Sequence, residues 1–333
     1  MNKKKWIPLA ALGVLAVGLG VGLAVLKSRP ADTEADTGTP LSAIGIDSVT
    51  ALRYTDASNN ISVSLTKKAT GESAVWTLDE DPKLPIDQSA ADLVAADIAA
   101  LKATRQLTDT SESAAMGFDS PTMTFALTAG DSSFELTVGA ENTMTSAYYA
   151  RVKGSDAVYM IAADSLSSLC KTAKELYAAQ SVTTLTDTEV TAMTVDYGGA
   201  ALRFQKNGDS WVLADDTGYA LNQDTVSRMA STLCGLKTSW SVTAPAAPAS
   251  YGLDQPNAKI TLGTADGKTV TVAFGAADPA DAASCYLTTT DAPGVVYEVA
   301  AENLSAFAVT KESLLAAADT AETAEAAAQY PVE

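Results

Sequence analysis

The stretch MGFDSP at residues 116–121 returns as YGLDQP at residues 251–256, 135 positions later. The same spacing relates Trp76 to Trp211, and no gap is needed between these matches. Other pairs at this spacing are Leu78 and Leu213, Gln88 and Gln223, Leu101 and Leu236, and Lys102 and Lys237. A turn that recurs together with its surroundings indicates that a whole structural unit is duplicated. We therefore expect two tandem repeats, at residues 46–180 and 181–316.

Each repeat is predicted to begin with three strands and a helix and to end in an antiparallel meander with a short helix. Alternating apolar residues between turn residues predict strands at 48–55, 61–66 and 73–78, and at 189–196, 201–206 and 210–214. The short final helices are expected at 164–177 and 302–315. This order of elements predicts an α+β fold with mainly antiparallel sheet, one main helix and one short helix in each repeat.

The main helices are indicated by apolar residues at helical spacing. A candidate cap precedes each one, Asp87 or Ser89 in the first repeat and Asn222 or Asp224 in the second. The apolar positions expected to face a sheet are Leu93, Val94, Ile98 and Leu101, and then Val226, Met229, Leu233 and Leu236.

The N-terminal region is predicted to cross a membrane. Three lysines precede an uncharged run at residues 6–26, and 21 residues of helix span about 31 Å, the thickness of a bilayer core. The run is longer than a signal-peptide core and lacks a small-x-small cleavage site, which favours an uncleaved anchor over a cleaved leader. The excess of basic residues before it places the N-terminus in the cytoplasm and the rest of the chain outside. The remaining segments are a linker at 31–45 and an acidic tail at 317–333.

The charge balance limits the classes of partner. Five of the 22 basic residues flank the apolar run, which leaves 17 basic against all 40 acidic residues after it, a net charge of −23. Such a surface repels phosphate backbones, so we expect no nucleic-acid partner. The chain has no histidine, which removes the usual base of hydrolases and a common zinc ligand, and its three cysteines have no spacing typical of disulfide frameworks.

Acidic residues in repeated loops are the candidate ligands. The aspartate of the turn, Asp119 or Asp254, is expected to cap backbone amides beside a glycine of positive φ; the alternative is a carboxylate offered to a metal. A second acidic pair follows each tryptophan strand, Glu80 with Asp81 and Asp215 with Asp216. Neither loop has the spacing of a calcium site, so we expect solvated turns, no metal and no cofactor. Trp76 and Trp211 are expected in the core, with a sugar-stacking platform as the alternative.

The repeat resembles the domain-of-unknown-function family 4340. The shared features are a [YM]-G-[FL]-D-x-P turn, a strand pair ending in V-G or F-G, a strand with a tyrosine, and a "VY" strand before the last helix. The resemblance covers residues 45–315. It implies a membrane-anchored envelope protein that is often encoded beside gliding-type ABC-2 transporters, and it implies no catalytic residues.

These observations predict a non-enzymatic, single-pass membrane protein whose extracytoplasmic repeats serve as a scaffold or accessory subunit of an ABC-2-type export system. The expected partners are an ABC-2-type permease or other envelope membrane proteins. The alternatives are an extracellular binding module for a polysaccharide or a peptide and an acid-dependent hydrolase.

Overall fold

A computed structural model describes residues 38–70, 73–108 and 113–316. The chain divides into two compact units. Of the described residues, the first unit contains those up to Glu80 and those in Gln88–Leu176, and the second contains Asp81–Asp87 and those from Tyr177 to residue 316. Each unit is built around one eight-stranded antiparallel sheet.

The sheet of the first unit has the order β4-β3-β2-β7-β8-β9-β10-β6. A short pair, β1 (Thr39–Pro40) with β5 (Lys102–Ala103), stands beside it. The strands of the main sheet are β2 (Ala51–Asp56), β3 (Ile61–Thr70), β4 (Ser73–Leu78), β6 (Arg105–Gln106), β7 (Met123–Ala129), β8 (Ser132–Asn142), β9 (Ala147–Val152) and β10 (Val158–Ala162).

The sheet of the second unit has the order β13-β12-β11-β15-β16-β17-β18-β14. Its strands are β11 (Val190–Tyr197), β12 (Ala200–Asn207), β13 (Ser210–Leu213), β14 (Trp240–Val242), β15 (Ala258–Thr264), β16 (Thr269–Asp278), β17 (Asp281–Thr289) and β18 (Val296–Ala300). The six strands predicted at the starts of the two repeats are present, with ends shifted by a few residues.

The two sheets have the same topology, which confirms the duplication. Trp76 pairs with Lys67 across β4 and β3, and Trp211 pairs with Lys206 across β13 and β12. The residues of each repeated pair therefore take equivalent places in two separate cores.

One helix packs on a face of each sheet. These helices are α1 (Gln88–Ala99) and α2 (Gln223–Gly235). Asn222 caps α2, because its side chain accepts a hydrogen bond from the Thr225 amide at 3.0 Å. The predicted apolar face of α2 is buried, whereas Leu93 of α1 is 57% exposed and the small residues Ala91 and Ala95 are buried instead.

The predicted α+β class is wrong: both units are mainly β. The segment 164–177 contains a 3-10 helix at Ala163–Ser165 and turns, and the segment 302–315 contains a four-residue helix, α3 (Glu302–Ser305), and a 3-10 helix at Glu312–Leu314. The Thr172 amide donates to the Glu175 carboxylate at 2.7 Å, and the Glu175 amide donates to the Thr172 hydroxyl at 3.2 Å. This reciprocal pair is a capping box, which starts a separate turn at Thr172 and so interrupts the predicted helix.

The predicted transmembrane helix at residues 6–26 lies outside the described residues. Within residues 38–70, 73–108 and 113–316, no helix is both long enough and apolar enough to cross a bilayer.

Candidate functional site

The Gly-x-Asp-x-Pro turn is held by a close approach of backbone to backbone. Gly117 has φ 79° and Gly252 has φ 64°, as expected for glycine in this turn. A Cβ atom on Gly117 would lie 2.7 Å from the Ala140 amide nitrogen, and one on Gly252 would lie 2.9 Å from that of Ala276. Only glycine fits here without displacing the neighbouring strand.

A second glycine explains why the following strand ends in V-G or F-G. A Cβ atom on Gly139 of β8 would overlap the carbonyl oxygen of Met116, and one on Gly275 of β16 would overlap that of Tyr251. Each turn therefore rests directly on a glycine of the next hairpin. The Gly-x-Asp-x-Pro turn and the V-G or F-G end of the following strand recur together because they pack against each other.

The aspartates of this turn do not make the bonds expected from the sequence. Asp119 and Asp254 are both exposed. Among the described residues, neither side chain accepts a hydrogen bond or forms an ion pair. The two carboxylates belong to different units. Each is thus a solvated carboxylate at the surface of its own unit.

Three of the other four acidic candidates form polar contacts, each with a different partner. Glu80 is exposed, and Asp81 accepts a hydrogen bond from the Thr243 hydroxyl at 2.5 Å. Asp215 lies 3.5 Å from the Arg203 guanidinium, and Asp216 accepts a bond from the Lys311 ammonium at 2.9 Å. In the described part of the chain, no three acidic or cysteine side chains are grouped as metal ligands.

The repeated tryptophans are core residues, held in place by a glutamine. Trp76 is 2% exposed and Trp211 is 3% exposed. The Gln223 side chain accepts from the Trp211 amide at 2.7 Å and donates to its carbonyl at 2.9 Å. Gln88 makes the same two bonds to Trp76, at 2.6 and 3.1 Å. The first residue of each helix therefore ties it to the edge strand of its sheet.

A concave surface lies on the solvent face of the first sheet. It has a volume of about 520 Å³, and its centre is crossed by β2, β3, β7 and β8. The polar residues that line it are Arg53, Ser64, Thr66, Asp79, Thr124, Thr128, Glu135 and Thr137. The side chains there are mostly hydroxyls, which both donate and accept hydrogen bonds.

Arg53 lines this concave face and has no side-chain hydrogen bond or ion pair within the described part of the chain. Asp79 accepts hydrogen bonds from Ser64 at 2.6 Å and Thr66 at 3.2 Å, and Glu135 pairs with Lys153 at 2.6 Å. Among the described residues, no carboxylate or carbonyl is bonded to the Arg53 guanidinium. Its five donors are therefore available to a ligand.

A second arginine lies on the next strand pair of the same sheet. Arg151 of β9 pairs in register with Thr137, and its guanidinium lies 4.4 Å from the centre of the Phe118 ring. Its Nε atom is buried, with no hydrogen-bond partner among the described residues. Phe118 belongs to the Gly-x-Asp-x-Pro turn, so the turn holds this arginine by a cation–π contact.

The cysteines are unsuited to nucleophilic chemistry. Burial, with a smaller effect of Asp56, raises the pKa of Cys170 to about 12, and burial with two nearby carboxylates raises the pKa of Cys234 to about 11. Burial also raises the pKa of Cys285. The thiolate, which is the reactive form, is disfavoured at all three positions. All three are free thiols.

Comparison with known proteins gives one result. The family model described as "Domain of unknown function (DUF4340)" matches residues 76–212 and 211–318. The chain is a member of the DUF4340 family. No curated protein and no solved structure shows a significant match to it.

The family match begins at the repeated tryptophan strand. The two DUF4340 segments start at Trp76 and Trp211, and each contains the tryptophan–glutamine contact and the glycine turn. Arg53 precedes the first matched segment. The polar face around it was missed in the sequence, although alternating Ser and Thr in β3 and β7 were a signal of a polar sheet surface.

Proposed function

We propose that this DUF4340 protein is a non-enzymatic, membrane-anchored extracytoplasmic subunit that acts as a scaffold or accessory protein of an ABC-2-type export system. Its partners are the permease or other envelope membrane proteins. The apolar segment 6–26 is its anchor, with the N-terminus in the cytoplasm.

The observation that carries this proposal is the use that both units make of their repeated residues. Trp76 and Trp211 are buried in the cores. Gln88 and Gln223 bond the main helices to the edge strands, and the turn glycines allow the turn to pack closely against the following strand. These three sets of repeated residues serve the fold rather than a site. This pattern supports a protein that presents surfaces to partners rather than one that repeats a reaction centre.

The test is purification of the tagged full-length chain from its native membrane in mild detergent, followed by mass spectrometry. We expect an ABC-2-type permease and its ATPase to be recovered with it. A matched control carries Leu15→Asp and Val17→Asp in the apolar segment and should lose both partners. Recovery of intact wild-type chain without a permease would refute the scaffold role.

A second candidate function is binding of a polysaccharide or peptide ligand, and the concave face of the first sheet favours it. The hydroxyls around Arg53 suit a ligand with many polar groups, and the guanidinium suits one that carries carboxylates. Arg53→Ala should abolish retention on an immobilised acidic polysaccharide or peptide. The control is Arg203→Ala in the second unit, where the arginine already pairs with Asp215. Equal retention of both variants would rule out this face as the site.

A further inference from the structure

A groove beside the main helix is present in both units, and the carboxylate that it holds in the first unit is replaced by a serine in the second. In the first unit it has a volume of about 590 Å³ and is lined by Asp47, Lys67, Asp92 and neighbouring residues. In the second unit it has a volume of about 160 Å³ and is lined by Asp187, Thr188, Lys206, Trp211, Ser227, Ala230 and Ser231. Ser227 stands where the 135-residue spacing places Asp92 in the first repeat.

In the first unit the groove holds a carboxylate of the chain itself. The Trp76 indole N–H donates to Asp92 Oδ1 at 2.8 Å, and the Lys67 ammonium lies 3.2 Å from the same oxygen. Lys67 also lies 4.7 Å from the centre of the Trp76 ring. Partial desolvation raises the pKa of Asp92, but the bonds from Trp76 and Lys67 outweigh this effect and hold the pKa below its ordinary value. The two donors therefore favour an ionised carboxylate.

In the second unit the same two donors are present without that carboxylate. Lys206 lies 5.4 Å from the centre of the Trp211 ring, on the strand position equivalent to Lys67. Among the described residues, nothing accepts a hydrogen bond from the Trp211 indole, and Lys206 has no ion-pair partner. The hydroxymethyl side chain of Ser227 is too short to replace the carboxylate of Asp92. The groove of the second unit therefore has the indole and ammonium donors but no carboxylate of the chain that accepts from them.

The other charged groups at this groove do not prevent a carboxylate from entering. Asp187 lines it and accepts a hydrogen bond from the Ser231 hydroxyl at 3.0 Å. Glu189, on the same segment, is engaged by the Thr186 amide and hydroxyl at 2.8 and 2.7 Å. Asp47 lines the first groove, and the carboxylate of Asp92 is nevertheless accommodated there. One rim aspartate is therefore compatible with a bound carboxylate beside the lysine.

We propose that the groove formed by Trp211, Lys206 and Ser227 binds a ligand carboxylate in the way that Trp76 and Lys67 bind Asp92. The ligand supplies one carboxylate oxygen to the indole N–H and to the ammonium. A volume of about 160 Å³ admits a group of the size of an acetate or an acidic side chain. The source of the carboxylate is a small free acid or an aspartate or glutamate side chain of a partner.

The experiment follows the four indole N–H signals of the full chain, labelled with 15N-tryptophan in detergent micelles. Sodium acetate is titrated at constant ionic strength against sodium chloride, with acetamide as the neutral control of the same shape. We expect a saturable downfield shift of the Trp211 signal with acetate and none with acetamide. The Trp76 signal should not respond, because Asp92 already occupies its groove.

Two exchanges between the units give the matched variants. Ser227→Asp supplies the internal carboxylate, so the Trp211 signal should take a shifted position in buffer and stop responding to acetate. Asp92→Ser removes it, so the Trp76 signal should become responsive. No saturable response of wild-type Trp211, an equal response to acetamide, or an unchanged response in Ser227→Asp would each overturn the proposal.

A second titration distinguishes the two sources of the carboxylate. The probe is a pentapeptide of glycines with one central aspartate, blocked at both ends. Saturation at a lower concentration than acetate assigns the site to an acidic side chain, and saturation at the same or a higher concentration assigns it to a small acid. The readout is local to Trp211, so its failure leaves the proposed export role untouched.

Discussion

A Cβ atom on Gly117 would lie 2.7 Å from the amide nitrogen of Ala140, and so the turn and the end of β8 meet backbone to backbone. The second unit repeats the relationship between Gly252 and Ala276, at 2.9 Å. The repeated turn is therefore defined by its glycine and by the strand that it touches. The exposed aspartate two residues later adds no bond to the described part of the chain.

Gly117→Ala is expected to destabilise the protein more than Gly130→Ala. Both glycines have positive φ, 79° and 57°, so both substitutions carry a backbone cost of about 1–2 kcal/mol. A Cβ atom on Gly130 meets nothing within 4 Å, whereas one on Gly117 clashes with β8. Urea unfolding of the two variants measures the difference, which is the cost of the close approach.

Asp119→Asn should change the free energy of unfolding by less than about 0.5 kcal/mol. A larger loss for Asp119→Asn than for Gly117→Ala would contradict this reading of the turn.

Gln223→Leu is expected to lower the free energy of unfolding by about 1–3 kcal/mol. The substitution removes both bonds from Gln223 to the backbone of Trp211 and leaves the amide of a nearly buried residue unpaired. Gln205→Leu is the control, because Gln205 is exposed and has no side-chain hydrogen bond among the described residues. Thermal and urea unfolding provide the comparison. If both variants show an equally small loss of unfolding free energy, the bonds of Gln223 do not stabilise the attachment of α2 to the sheet.

The stabilising effect of Asp92 is expected to disappear in acid. The pKa of Asp92 in the folded protein is lowered, because the bonds from Trp76 and Lys67 outweigh desolvation. A lowered folded pKa means that the carboxylate stabilises the fold above the unfolded pKa of about 3.9, and that this contribution is lost as the pH falls through the folded pKa. The difference in unfolding free energy between wild type and Asp92→Asn should therefore be positive at neutral pH and shrink below about pH 4. Asp97→Asn, on the same helix but without a polar partner among the described residues, is the control for removing one negative charge from this helix.

The chain after residue 40 is expected to be accessible from outside the cell. On the proposed topology, protease added to intact cells should remove this region, because an excess of basic residues before an apolar run such as 6–26 favours a cytoplasmic N-terminus. An epitope placed before Lys3 serves as the protected control. Digestion of the large region only after lysis would show the opposite orientation.

Patterns that depend on neighbouring residues in the chain were predicted well. The spacing of the two turns predicted the duplication, and alternation predicted the opening strands, because residues of one strand face are two apart. The main helices were also placed correctly. The short final helices were predicted wrongly; in the first unit a capping box between Thr172 and Glu175 starts a separate turn inside the predicted helix. Leu93 fits the helical stripe, but Ala91 and Ala95 occupy the buried face beside it.

The candidate sites could be predicted only in part. The sequence analysis identified the repeated aspartates and the acidic pairs as candidates. In the structure, Asp215 pairs with Arg203, and Asp216 pairs with Lys311, which is far from it in the sequence. The polar face around Arg53 is assembled from strands that are distant in the chain. No local pattern reveals which residues meet across such a sheet.

The sequence by itself determined that this protein is built from two copies of one unit, because a duplicated set of turn, core and helix residues leaves a fixed spacing in the chain. Only the tertiary structure decided what the repeated residues do. The glycine turn is fixed by the strand that passes over it, and the aspartate beside it is left to solvent. The sequence shows that Ser227 occupies the position equivalent to Asp92. Only the structure shows that this position lies beside a tryptophan and a lysine in each unit. The reason is physical: hydrogen bonds and close contacts act across a few ångströms of space, while the residues that make them are set by how the strands pair.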